Sequence, residues 1–170
     1  KGKFPGKKIL FLAVLATMML PFEATMIPMF LMFVKVGMVN TYWPLVLPRL
    51  LYGFGVILSK QYFDNLPDSL REAARIDGAG EIRIFNMIFI PLSGPMIATQ
   101  VILLFMFSWN DFLWPLIVLT SHKLQTVPIY LSKFSHHDGT NLAGLSMALS
   151  GASIIPVIIV FLFFQNYIIQ

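Results

Sequence analysis

Long apolar runs divide the chain more plainly than any other feature. About 20 largely apolar residues are needed to cross a hydrocarbon core as helix, because every backbone amide must be paired within the segment there. Four stretches meet that length. They run over about 9–34, with Pro21, Glu23 and Pro28 inside; about 42–62, interrupted by Pro44, Pro48, Arg49, Gly53 and Gly55; about 95–119, interrupted by Ser108, Trp109, Asn110 and Asp111; and about 142–169. The pattern predicts an all-α, polytopic transmembrane helical bundle. It also predicts a single transmembrane domain over 1–170, with a polar loop of about 63–94 between the second and third spans.

Composition agrees with the pattern. Of 170 residues, 57% are hydrophobic and 12% charged, and the mean hydropathy is +0.77, far from a typical soluble domain. The chain has no Cys, which excludes disulfides and thiolate metal sites. A pI near 9.5 could point to nucleic acid, but no dense basic face exists and the basic residues cluster as cytoplasmic loops do. The run from Ile9 continues to Val34 with no early small-residue cleavage pattern, which separates it from a signal peptide.

The basic residues also orient the spans. Lys1, Lys3, Lys7, Lys8, Lys60, Arg71, Arg75 and Arg83 lie before the first span or between the second and third; Lys35, Arg49, Lys123 and Lys133 lie near the other side. This asymmetry places both ends and the middle loop on the cytoplasmic side of the membrane. Trp43, Tyr42, Trp109 and Trp114 suit either an interfacial belt or ordinary packing. Gly144, Ala148 and Ala152, with Ser146 and Ser150 beside them, form a small-residue face suited to close helix packing in lipid.

The middle loop carries local signals of its own. Ser69 and Glu72 have capping-box spacing, Pro67 stands before a helix start, and Gly78 stands where a helix end takes a left-handed residue. The expected helix, Ser69 to Asp77, puts Leu70, Ala73, Ala74 and Asp77 on one face and Arg71 and Arg75 elsewhere. A second helix with Ile84, Phe85 and Ile88 on one side is expected to end at Pro91 and Pro95. A helix of about two turns is marginal alone in water, so its own bundle, the headgroups or a cytosolic partner must hold it. Two alanines, with no bulky anchors, favour close docking into a groove on another protein over an interfacial helix.

Glu72-Ala73-Ala74, then Gly78, Ile88 and Ile90-Pro91, resemble the EAA motif of ABC importer permeases, with Ile90 where Leu is usual. The longer string from Glu72 to Ala79, together with Ser108 to Leu116, is similar to the maltose-type carbohydrate branch of binding-protein-dependent inner membrane components. The resemblance implies a type I ABC importer transmembrane domain, this chain holding the last four of about six spans. It implies a permease subunit for a carbohydrate or related solute, not an enzyme, with no cofactor on this chain and ATP and Mg in a partner. Its partners would be an ATP-binding cassette subunit dimer, a second homologous permease, an external solute-binding protein and membrane lipid. The loop would couple to the ATPase through Leu70, Glu72, Ala73, Ala74, Asp77 and Gly78. No Gly-x-x-x-x-Gly-Lys-Ser/Thr loop is present to bind nucleotide phosphates.

Ionisable groups inside spans are costly and default to functional hypotheses. Glu23, Asn110 and Asp111 are accordingly candidates for the solute pathway; alternatively Glu23 satisfies a backbone group or an Arg such as Arg49, and Asn110-Asp111 forms a structural turn near the membrane surface. An ion-coupled secondary transporter, with Glu23 or Asp111 as coupling carboxylate, is the competing class. His122, His136, His137 and Asp138 read as a solvated outer loop because adjacent histidines do not converge on one metal. Gly151-Ala152-Ser153 lacks a later histidine to serve as base, so serine-protease chemistry is set aside.

Overall fold

In the computed structural model the described residues are 4–135 and 143–168; His136, His137 and Asp138 lie outside them. The described residues are helical throughout, with short turns between helices and no strand. The helices are α1 (Lys7–Met19), α2 (Phe22–Lys35), α3 (Trp43–Leu50), α4 (Gly53–Asn65), α5 (Ser69–Ile76), α6 (Glu81–Leu92), α7 (Gly94–Trp109), α8 (Leu113–Val118), α9 (Val127–Ser135), α10 (Ala143–Ala152) and α11 (Ile155–Ile168). They form two compact units. One contains 1–19, 53–101 and 164–170; the other contains 20–52 and 102–163.

Among the described residues, Gly144–Tyr167 is the helix long and apolar enough to cross a membrane by itself. Two bent pairs pass the same test when each is taken together: Lys7–Met19 with Phe22–Lys35, and Glu81–Leu92 with Gly94–Trp109. The predicted second span, 42–62, is not among them. Pro48 withholds a helical donor inside α3, and the helix stops at Leu51, where the backbone leaves helical angles (φ −104°, ψ 54°), before restarting at Gly53. The predicted first span breaks likewise at Pro21, which sits in extended geometry before α2.

In the unit holding α4 to α6, α6 does not end at Pro91 as expected but continues through it. Proline cannot donate to the preceding turn, and the chain shifts register just before it. Phe85–Phe89 forms a π-helical turn in which Ile90 N–H reaches the carbonyl of Phe85. The helix breaks two residues later, at Ser93, where the path bends by 70° into α7. There Ser93 N–H bonds Ile90 O, and its buried hydroxyl takes the carbonyl of Phe89 at 2.5 Å. Gln100 on α7 donates to Gly55 O at 2.9 Å and to Ser59 Oγ at 2.7 Å, tying α7 to α4.

The core of the other unit gathers Phe33, Trp114, Val118 and Leu119, with Met29 and Phe30 packed against them. Trp114 is buried, which settles it as a packing aromatic; Phe22 meets it edge-on at 5.8 Å. Its indole N–H donates to Pro44 O at 2.8 Å. That carbonyl would ordinarily take the amide four residues on, but residue 48 is proline and has none. After α2, Gly37 at φ +66° lets Met38 N–H reach Phe33 O and Gly37 N–H reach Val34 O, a Schellman end. Asn40, at φ +60°, then accepts from the amides of Thr120 and Ser121 and donates its own to Val118 O.

Among the described residues, Gly144, Ala148 and Ala152 of the small-residue face are exposed. A Cβ built at Gly144 or Gly151 would meet no heavy atom within 4 Å.

Replacing Trp114 by Phe keeps the ring but orphans a buried carbonyl, which typically costs about 1–3 kcal/mol. Trp114→Phe is expected to lower the unfolding temperature of the detergent-solubilised protein, whereas Trp109→Phe, whose indole bonds Ser153 O in a half-buried setting, is expected to lower it less. Differential scanning fluorimetry of the two variants checks the order.

Candidate coupling loop and polar break

The loop helix α5 starts one residue earlier than its capping signal suggests. Asp68 is the N-cap residue, with backbone angles already helical, and its carbonyl accepts from the amides of Arg71 and Glu72 at 3.0 Å. The expected Ser69–Glu72 capping box therefore does not form, because Ser69 is already inside the helix. The other end follows expectation. Asp77 is the C-cap, Gly78 has φ +77°, Gly78 N–H bonds Arg75 O at 3.0 Å and Ala79 N–H bonds Ala74 O at 2.9 Å. This is again a Schellman end, with Ala79 folded back onto the helix it closes.

The structure divides the six candidate coupling residues between two faces. Ala74 is 9% exposed and packs with Ile84 and Phe89, with Phe63, Leu66 and Ala79 around them. It faces its own protein, which corrects the expectation that both alanines present a docking surface. Leu70, Glu72, Ala73, Asp77 and Gly78 are exposed. Ile76 on α5 is 87% exposed, and Ile82, at the start of α6, is 79% exposed. Both lay outside the motif-based reading. Their signal was available: an isoleucine among charged residues, beside a glycine turn, has no place to be buried on a helix this short.

Two arginines brace this face from behind. Arg71 donates to Glu81 through Nε at 3.1 Å and Nη2 at 2.8 Å, and Arg75 donates through Nε at 2.7 Å. One carboxylate thus joins two turns of α5 to the first turn of α6. Exposed pairs of this kind contribute little singly, but the shared fork fixes the angle of the tip. Tyr62 closes the base of the loop, its hydroxyl donating to Leu92 O.

The polar break after α7 lies in the other unit. Asn110 ends the helix: its backbone and its side-chain amide both donate to Met106 O, at 3.1 and 2.9 Å. Asp111 then meets Arg49 at 2.5 Å, with the side chains 19% and 28% exposed. Arg49 is therefore the partner of Asp111; the alternative that it serves Glu23 is not realised. Glu23 stands exposed in the first turn of α2. His122 faces Lys133, whose ammonium also donates to Gln125 Oε1 at 2.8 Å. No group of three or more metal-ligating side chains occurs among the described residues.

The two faces of α5 predict opposite behaviour for neighbouring alanines. Ala74→Trp overfills the contact with Ile84 and Phe89, and overpacking typically costs about 1–3 kcal/mol; Ala73→Trp meets no such core. Gly78→Val adds no clash, since a Cβ there meets nothing within 4 Å, yet it forces a branched residue to positive φ at about 1–2 kcal/mol. Limited proteolysis of the loop is expected to accelerate for Ala74→Trp and Gly78→Val, less for Gly78→Asn, and not for Ala73→Trp.

Residues 1–170 match the family of binding-protein-dependent transport system inner membrane components. The chain is 43% identical over 166 residues to the arabinooligosaccharides transport system permease protein AraQ of Halalkalibacterium halodurans, covering 98% of this chain and 59% of that protein. It is 34% identical to the sn-glycerol-3-phosphate transport system permease protein UgpE of Brucella abortus, covering 99% and 60%. Its fold superposes with a TM-score of 0.80, at 29% identity, on a chain of a bacterial ABC transporter involved in the import of the acidic polysaccharide alginate, covering 98% of this chain and 64% of the other. The chain thus spans about three-fifths of the length of the curated relatives. A helical architecture without strands among the described residues and a match along its whole length identify this chain as a member of the ABC importer permease family, a cell-membrane component of binding-protein-dependent transport systems.

Proposed function

We propose that the protein is the permease subunit of an ATP-driven importer for a carbohydrate or related polyhydroxylated solute, and that α5 is its coupling helix. The observation that carries the reading is the exposed tip formed by Leu70, Ala73, Ile76 and Ile82 on a loop braced by Ala74 and Glu81. Exposed isoleucines on a cytosolic surface are costly unless a partner covers them, and an amphipathic helix in a groove is a recurrent way to do so. The partner that fits is a dimer of ATP-binding subunits, with ATP and Mg held there. A second homologous permease and an external solute-binding protein complete the assembly.

The loop and both ends of the chain face the cytoplasm in this reading, following the excess of Lys and Arg on that side. In this reading the chain crosses four times, over about 9–34, 42–62, 95–119 and 142–169, with the short, proline-broken α3–α4 segment as the second crossing. Glu23 and Asn110 remain candidates to meet solute. Asp111, committed to Arg49, acts as the support that positions the break. That commitment also weighs against Asp111 as the coupling carboxylate of an ion-driven carrier. The solute class is inferred from the relatives, whose names specify oligosaccharide, glycerol phosphate and polysaccharide transport.

Two measurements test this. A single Cys at Ser69 is expected to react with impermeant thiol reagents in inverted vesicles and not in intact spheroplasts; the reverse result removes the cytoplasmic assignment. In proteoliposomes holding the full transporter, Ile76→Asp is expected to reduce ATPase stimulation by loaded binding protein by about tenfold or more, as loss of a central interface anchor does. Solute uptake should persist under an uncoupler while ATP lasts. Wild-type stimulation and uptake in Ile76→Asp would make the loop a mere connector.

A further inference from the structure

A second feature of the loop-bearing unit has no part in coupling. The start of α1 and the end of α4 enclose a cleft of about 450 Å³ lined by Phe4, Gly6, Lys7, Lys8, Phe11 and Lys60. Three lysines from two helices therefore line one concavity. Lys60 Nζ lies 5.0 Å from the centre of the Phe11 ring, so the aromatic face holds it at the rim. Asp64, one turn further along α4, pairs with Lys60 at 2.5 Å and is itself nearly half exposed. The hydrogen bond from Lys60 holds the Asp64 carboxyl below its usual range, so it stays ionised. Lys7 and Lys8 bring two further lysines beside the Lys60–Asp64 pair.

We propose that this cleft is a binding site for the phosphate headgroup of an anionic membrane lipid. The chemistry is that of a phosphodiester: a single delocalised charge met by lysine ammoniums, with an apolar wall for the glycerol end. Lys7 and Lys8 stand at the entrance of the first apolar run, where a crossing helix meets headgroups, and basic pockets at that depth recruit anionic lipids. Phe4 and Phe11 belong at the same level, with aromatic side chains between the phosphates and the acyl region. Phe4 and the outward-facing Ile9, Leu10 and Leu12 supply apolar surface beside the cleft that acyl chains can cover. Asp64 competes with the lipid for Lys60, so its removal should strengthen binding. This site depends on membrane residence alone and stands whether or not α5 couples to an ATPase.

The test uses the complete transporter in detergent and native mass spectrometry with added phosphatidylglycerol or phosphatidylcholine of matched chains. Wild type is expected to retain phosphatidylglycerol in preference. Lys8→Gln/Lys60→Gln is expected to weaken that retention by about thirtyfold, each lysine at an anionic lipid surface being worth about fivefold. Lys123→Gln/Lys133→Gln, in another part of the chain, should leave it unchanged. Asp64→Asn should raise retention, an outcome that misfolding cannot imitate. Inorganic phosphate at millimolar concentration should not displace the lipid. Displacement by phosphate would assign the cleft to a free anion; equal retention of both lipids, or no change in either the lysine double variant or Asp64→Asn, would overturn the site altogether.

Discussion

Backbone pairing in an apolar chain is the constraint on which the rest of this structure depends. Eleven prolines remove donors from a molecule whose helices have little water to turn to. At Pro44 the donor lost to Pro48 is replaced by the Trp114 indole, so the centre of one core is also the repair of a broken helix. Before Pro91 the chain shifts into a π turn, and at Ser93 a buried hydroxyl takes the carbonyl that the bend releases. Asn40 caps the start of the 120–124 turn in the same manner. Several of these breaches are closed by one identifiable polar side chain, and Trp114 and Asn40 in doing so tie together segments far apart in sequence.

Much of this was legible along the chain. The apolar run at about 142–169 and the Gly78 turn are local signals, because each reports a requirement that the segment itself must meet. The unbroken fourth span was the clearest for that reason, with no charge or proline cluster against it until Pro156. The loop motif likewise located α5 to within a residue. What escaped were pairings across sequence. Ser69 had capping spacing, but Asp68 already had helical angles with its carbonyl accepting from Arg71 and Glu72; the competition between adjacent candidates cannot be read from spacing alone. Arg49 had two carboxylates to choose from, and only the chain path brought Asp111 rather than Glu23 to it.

The inward turn of Ala74 changes how the loop works as a physical object. A docking face made wholly of small residues would be held only by whatever grips it. Here one alanine is sunk into a small core with Ile84 and Phe89, and Glu81 grips both arginines. The tip and α6 therefore form one body before any partner arrives. Preorganisation of that kind reduces the ordering entropy that association must otherwise overcome. Ile76 and Ile82 can then remain in water as a narrow apolar ridge, since the residues beneath them do not need them for cohesion.

Gly78 carries one further consequence. Its Cβ would meet nothing, so what holds the position to glycine within this chain is neither size nor polarity but the sign of a torsion. An amino acid of mirror-image configuration reaches positive φ as easily as an ordinary one reaches negative φ. D-alanine at 78 would fit where L-alanine strains, and would narrow the choices open to the unfolded chain as well. In this turn, glycine serves as the ribosome's substitute for a residue of the opposite hand.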